Sequence, residues 1–159
     1  MLFRSDDIIA TVVKYAKDKE YNVRVVSHDK DLYQLIDDGK IIIVDAIKRK
    51  SVDEDACFEK YGVTPKQFID YQSILGDSAD NVPGVRGIGK VGAEKLLVEY
   101  GTLDNIYANI EEIKPPGIQK KLIDSKEQAY MSKELVTLKD DVLEEFDFEE
   151  YKMDIEHPF

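Results

Sequence analysis

The stretch from Gly76 to Gly92, GDSADNVPGVRGIGKVG, constrains this chain more than any other. It sets five glycines, Pro83 and the carboxylates Asp77 and Asp80 directly before an amphipathic run, Ala93–Tyr100. Ala93, Leu96, Leu97 and Tyr100 recur at helical spacing, which predicts a helix starting near Gly89. A loop that turns tightly must therefore lead into a helix whose first amides lack intrahelical partners. Such a loop suits a phosphate group, and the two acids upstream suit a metal cation.

Composition bounds the rest. A chain of 159 residues with 43% hydrophobic content is long enough to bury a core. Its net charge of −11 argues at first against a nucleic-acid partner. From Asp140 onward, however, nine acids and one base, Lys152, hold −8 of that charge, so residues 1–139 carry only −3. Cys57 is the sole cysteine, which excludes an internal disulfide and fits a reducing compartment and a packing role. No apolar run approaches the roughly 20 residues of a membrane span and no signal peptide is visible, so a cytoplasmic protein without membrane association is expected.

Along the chain, a helix is expected from Asp6, with Ile8, Ile9, Val12, Val13 and Ala16 on one face and Asp6 and Asp7 where the helix dipole favours negative charge. A strand at Asn22–Ser27 follows, then the turn His28-Asp-Lys-Asp31, a helical Leu32–Ile36 and a buried strand at Lys40–Asp45. This rhythm is that of a parallel α/β sheet, and the missing opening strand implies a sheet beginning before residue 1. Ligands gather at the carboxyl ends of such strands, where Asp29 and Asp31 stand, although Asp29 is equally suited to cap a helix. The lone His28, with His157 far away in the tail, does not suggest a histidine zinc site. Short helices are expected at Val52–Tyr61, Pro65–Leu75 and from Thr102, a long one from Ile118 to about Leu135, and a strand at Val136–Val142. A helical turn would bring Asp77 and Asp80 to one side.

Two familiar glycine motifs fail here. Gly87-Ile-Gly89-Lys-Val-Gly92 matches the dinucleotide fingerprint, but Asp80-Asn-Val-Pro83 precedes it where a strand is required. Gly84–Val91 nearly matches a nucleotide-binding P-loop, yet Val91 replaces the hydroxyl that holds magnesium. A helix–hairpin–helix needs only what is present, and it grips DNA through backbone amides without reading sequence. Gly84, Val85, Arg86, Gly87, Ile88, Gly89 and Lys90 are then the candidate DNA-binding residues, with charge from Arg86 and Lys90.

Across its whole length the chain resembles the bacterial 5′–3′ exonucleases of the flap endonuclease superfamily, most closely the nuclease domain at the front of DNA polymerase I. Gly76–Ala93 is similar to that family's helix–three-turn–helix signature, Ser27-His-Asp-Lys-Asp31 to its second acidic motif, and Ser5-Asp-Asp-Ile-Ile-Ala10 to a motif supplying ligands at a helix start. The resemblance implies a PIN-like α/β core, a partial parallel sheet flanked by helices, followed by a helical DNA-binding subdomain. Residues 1–50 would belong to the core, 51–139 to the helix–three-turn–helix subdomain and 140–159 to an acidic tail or linker. It implies that Asp6, Asp7, Asp29, Asp31, Asp77 and Asp80 are metal-binding and catalytic carboxylates, acting with magnesium, or manganese as a substitute, on duplex DNA bearing a 5′ flap or 5′ end. It further implies a potassium ion at the hairpin carbonyls, a monomer, and a polymerase fused downstream.

Departures from the family pattern accompany these matches. Arg4 replaces a glutamate two residues before Asp6, and His28 replaces a glycine. The opening strand with its aspartate, a further aspartate and the basic arch that threads a 5′ end are absent, and Leu2-Phe-Arg-Ser5 coincides with the translation of a common sequencing adapter, as in a fused remnant. A catalytically poor fragment is expected on this ground. The alternative, from a different functional class, is a non-catalytic duplex-binding module that keeps only the hairpin.

Overall fold

The structure, a computed structural model, describes residues 4–37 and 39–153. Met1–Phe3 and the end of the acidic tail, including His157, lie outside the described residues. The first helix, α1 (Ser5–Asp18), buries Asp7, Ala10, Thr11, Val13 and Ala16. Of the face expected from spacing only Val13 and Ala16 are buried, while Ile9 and Val12 are half-buried and Ile8 is 44% exposed. This is because the buried stripe is rotated toward Asp7 and Thr11, which take hydrogen bonds from Lys139 and Val142. Strand β1 (Val23–Val26) pairs in parallel with β2 (Ile41–Asp45), Val23 opposite Ile41 and Val26 opposite Val44. Between them the chain makes a 3-10 turn, Lys30–Leu35, which buries Leu32 and Tyr33. A third strand, β3 (Lys50–Val52), pairs antiparallel with β2, so the sheet order is β1-β2-β3. The sequence reading missed it, because Lys50 and Ser51 are polar and exposed and the strand follows a short turn in which Arg49 takes φ +53°.

The helical half opens with α2 (Glu54–Tyr61), capped by Asp53 and ended by Gly62 in the left-handed conformation. The expected helix at Val52 therefore starts two residues later. A 3-10 turn at Pro65–Gln67 runs into α3 (Phe68–Leu75), whose Phe68, Tyr71 and Ile74 are almost fully buried. After the glycine loop come α4 (Lys90–Tyr100) and α5 (Leu103–Ala108), the latter capped by the Thr102 side chain as expected. Phe68, Tyr71, Leu97, Leu103, Ile106 and Leu122 belong to one continuous core with Leu32 and Ile43 of the sheet half, so the two halves share their packing. Cys57 is fully buried in it, which pushes its thiol up to about 11.

Two expectations fail in the last third. The helix expected from Ile118 to about Leu135 is two, α6 (Pro116–Asp124) and α7 (Lys126–Val136), broken at Ser125. The break lets α7 lie along α3 while Leu122 and Ala129 both stay buried. The strand expected at Val136–Val142 does not form. Its amides find side chains instead: Leu138 N donates to Gln34 Oε1 (3.1 Å), Lys139 N to Asp7 Oδ1 (2.9 Å) and Val142 N to Thr11 Oγ1 (3.2 Å). The segment, bent at Thr137 and Asp140, runs back across α1, and these three donors are satisfied without a ladder.

Candidate metal centre and nucleic-acid interface

Three separated segments bring five carboxylates together. Asp6 comes from the first turn of α1, Asp29 and Asp31 from the turn after β1, and Asp77 and Asp80 from the loop after α3. Asp6, Asp29 and Asp31 each offer an oxygen within 4.8 Å of the others, and so do Asp31, Asp77 and Asp80. Asp31 belongs to both groups and is the most buried of the five. All the donors are carboxylate oxygens, three to a group, so the residues present fit hard divalent cations.

Local structure explains each position. Asp29 caps the 3-10 turn, its Oδ1 accepting from Asp31 N (2.9 Å), so capping and membership of the cluster coexist. Asp77 and Asp80 do not lie in a helical turn. Asp77 and Val82 instead exchange backbone hydrogen bonds (2.9 and 2.7 Å), which close a loop that carries both acids back toward Asp31. Asp77 Oδ1 accepts from Ala79 N (2.9 Å), which fixes its rotamer.

Electrostatics follow from crowding. Burial, and then the nearby Asp29, raise the Asp6 carboxyl above its ordinary range. Burial likewise raises Asp31, opposed by a 2.6 Å hydrogen bond in which Gln72 Nε2 donates to Asp31 Oδ1. Two side-chain cations offset the cluster: Arg4 Nη2 lies 3.4 Å from Asp31 Oδ2 and 3.8 Å from Asp6 Oδ2, and Lys30 Nζ lies 2.5 Å from Asp77 Oδ2. The Lys30 hydrogen bond holds the Asp77 carboxyl below its ordinary value. These two ammonium and guanidinium groups touch the oxygens that a bound metal would use.

Asp7 stands outside both carboxylate groups. Its Oδ2 accepts from Arg4 N (3.1 Å) and its Oδ1 from Lys139 N (2.9 Å), so it ties the start of α1 to the returning C-terminal strap. Gln72, which the sequence reading did not single out, is the buried support of Asp31. Its signal was its place four residues after Phe68, on the buried face of α3, where a polar side chain needs a partner. Its Oε1 is one of two buried side-chain polar atoms without a partner among the described residues.

The glycine loop is built by close backbone approach. Gly84 takes φ +64°, and a Cβ there would lie 2.6 Å from Gly76 N and 2.8 Å from Ile74 O. Its amide donates to buried Ser132 Oγ of α7 (2.9 Å), and Val85 N donates to Ile74 O (2.7 Å). Val85 and Ile88 point their side chains into the core, leaving Arg86, Gly87, Gly89 and Lys90 on the surface. Gly89 stands at the helix start in extended conformation and gives no side-chain cap, so the first amides of α4 face outward. Lys121 Nζ donates to the Gly87 carbonyl (2.9 Å), and both residues line a cleft with Arg86.

Comparison with known proteins agrees with this geometry. A family profile for the 5′–3′ exonuclease N-terminal resolvase-like domain matches residues 3–62, and one for the 5′–3′ exonuclease C-terminal SAM fold matches residues 63–158. The chain is similar to DNA polymerase I of Deinococcus radiodurans (40% identity over 92% of this chain and 15% of the relative) and of Streptococcus pneumoniae (41% over 86% and 16%). It is also similar to the thermostable DNA polymerase I of Thermus thermophilus (36% over 91% and 17%). It thus spans only about one sixth of the length of these curated relatives. Among solved structures it superposes on the T5 5′-exonuclease with zinc ions bound (TM-score 0.75, 28% identity, 86% of this chain and 51% of the other). A bacteriophage flap endonuclease in complex with DNA and metal ions gives the same TM-score of 0.75 at 27% identity, over 86% of this chain and 50% of the other. The resolvase-like profile takes in the sheet with α1 and α2, the SAM-like profile the helices from α3 onward, and the chain belongs to the 5′–3′ exonuclease family.

Proposed function

We propose that this chain carries the metal-binding and duplex-holding parts of a 5′–3′ exonuclease or flap endonuclease that hydrolyses DNA phosphodiesters in replication and repair. The observation that carries the reading is Asp31, buried and common to two carboxylate groups whose oxygens lie within 4.8 Å. Asp6, Asp29 and Asp31 would hold one divalent cation, Mg2+ or Mn2+, and Asp31, Asp77 and Asp80 a second. Bound there, such ions supply an activated water and stabilise the attacking and leaving oxygens. The protein's own part is positional: Gln72 orients Asp31, the Val82 bridge presents Asp77 and Asp80, and Asp7 fixes the start of α1. Asp7 is thereby assigned to positioning rather than to ligation.

The glycine hairpin would hold duplex DNA with a 5′ flap or 5′ end. The exposed amides at the start of α4 accept a phosphate, and Arg86 and Lys90 add positive charge without reading bases. A potassium ion at the hairpin carbonyls would share Gly87 with the Lys121 ammonium. The length of the relatives supports a parent chain in which a polymerase follows.

A second reading, a duplex-binding module without catalysis, is favoured by Arg4 and Lys30, which neutralise the oxygens a metal needs. Incubation with a 5′-labelled flap duplex and Mn2+ separates the two. The nuclease reading expects metal-dependent release of short 5′ products that Asp31→Asn abolishes. Equal background from both proteins, with DNA binding intact, would leave the binding module.

A further inference from the structure

An open cleft adjoins the acidic cluster, and its lining includes Asp6, Asp29, Lys30 and Asp77 together with Lys60 and Tyr61 from the last turn of α2. Lys60 Nζ lies over the Tyr61 ring, 4.8 Å from its centroid, and Lys90 Nζ over the same ring at 5.6 Å. Lys90 Nζ also donates to the Lys60 carbonyl (3.2 Å), which joins the start of α4 to the end of α2. Tyr61 packs edge-on against Phe68 (5.1 Å between centroids) and is partly exposed, so one ring carries two exposed ammonium groups. Cation–π contact and a carbonyl contact leave both charges uncancelled. In a chain of net charge −11, two such cations on one aromatic platform, bridging the glycine hairpin and the carboxylates, are a local exception.

We propose that Lys90, Tyr61 and Lys60 form a path along which one DNA strand runs from the glycine hairpin to the acidic cluster. The two ammonium groups contact backbone phosphates of that strand, and the Tyr61 ring holds the two ammonium groups in place beside it. Phosphate contacts set register and carry no sequence information. The path gives the hairpin and the carboxylates a physical connection, because a strand gripped at Gly87–Lys90 is led into the cleft that Asp6, Asp29 and Asp77 line. The inference rests on the nuclease reading above.

The test is fluorescence anisotropy of the whole chain with a labelled 5′-flap duplex across a salt series, using Lys60→Ala, Lys60→Glu, Arg86→Ala on the hairpin, and Lys14→Ala, a lysine paired with Asp140. Lys60 is exposed, so these variants are expected to keep the wild-type melting temperature, checked in parallel. Lys60→Ala is expected to make the plot of log K against log salt shallower by about one. Lys60→Glu is expected to weaken binding on the order of tenfold, equally for unrelated DNA sequences, while Lys14→Ala matches the wild type. Wild-type affinity and slope in both Lys60 variants, with Arg86→Ala weakened, would overturn the path and leave the hairpin reading intact. Failure of the wild type to bind the duplex at all would overturn both.

Discussion

The two working regions of this molecule are made in opposite ways. The hairpin, Gly76–Gly92, is one contiguous stretch whose shape comes from backbone: left-handed glycines, the Val85–Ile74 amide contact, and Val85 and Ile88 anchored in the core. The acidic cluster is drawn from three segments, and its shape comes from side chains that repel one another and are restrained by Gln72, Lys30 and Arg4. The first region stores its specificity in sterics and so should fail by unfolding. The second stores it in charge balance and so should fail by losing affinity while the fold survives.

The largest effect should come from the hairpin. Gly84→Ala combines a left-handed backbone with a Cβ 2.6 Å from backbone nitrogen, and it is expected to cost about 3 kcal/mol of stability in urea unfolding. Gly87→Ala is the matched control, because its Cβ meets the flexible end of Lys121 at 3.0 Å, and it should cost about 1 kcal/mol. Equal losses at both positions would break the steric account.

The cluster should answer differently. Gln72→Leu removes the donor that orients Asp31 and is expected to weaken Mn2+ binding roughly tenfold in calorimetric titration, with the fold retained by circular dichroism. Arg4→Ala should act in the other direction. It removes a tethered cation from Asp31 and Asp6 and should tighten Mn2+ by about two- to fivefold, a modest gain because the Arg4 side chain is 43% exposed.

The smallest effect sets the scale of an ordinary surface pair. Lys17 donates to Asp37 and holds its carboxyl below its ordinary value. A carboxyl lowered in the folded state stabilises above its unfolded pKa and loses that stabilisation as pH falls through the folded value. Asp37→Asn should therefore cost a few tenths of a kcal/mol at neutral pH, discounted for the exposure of Lys17, and the difference from wild type should fade as pH drops through the lowered value of Asp37.

The same contrast explains what could be read from the residues alone. The hairpin, the helix after it and the burial of Cys57 were legible because spacing and glycine placement are local signals. The positions of Asp29, Asp31, Asp77 and Asp80 were legible from motif order, but their convergence through the Asp77–Val82 bridge rather than a helical turn was not. Asp7 lies outside the two carboxylate groups, its oxygens taking the amides of Arg4 and Lys139, contacts that adjacency in sequence does not announce. Gln72 was missed because a single polar residue within Phe68–Leu75 has no motif, only a helical register. The strand expected at Val136–Val142 does not form, because Val136 ends α7 and the amides of Leu138, Lys139 and Val142 go to Gln34, Asp7 and Thr11, partners that no local pattern announces.

The central claim is that Asp31 is common to two cation sites, and counting bound Mn2+ by electron paramagnetic resonance in wild type, Asp6→Asn and Asp31→Asn tests it most directly. The account predicts two ions in the wild type, one in Asp6→Asn and none held tightly in Asp31→Asn. An Asp31→Asn protein that binds as many ions as the wild type would contradict it.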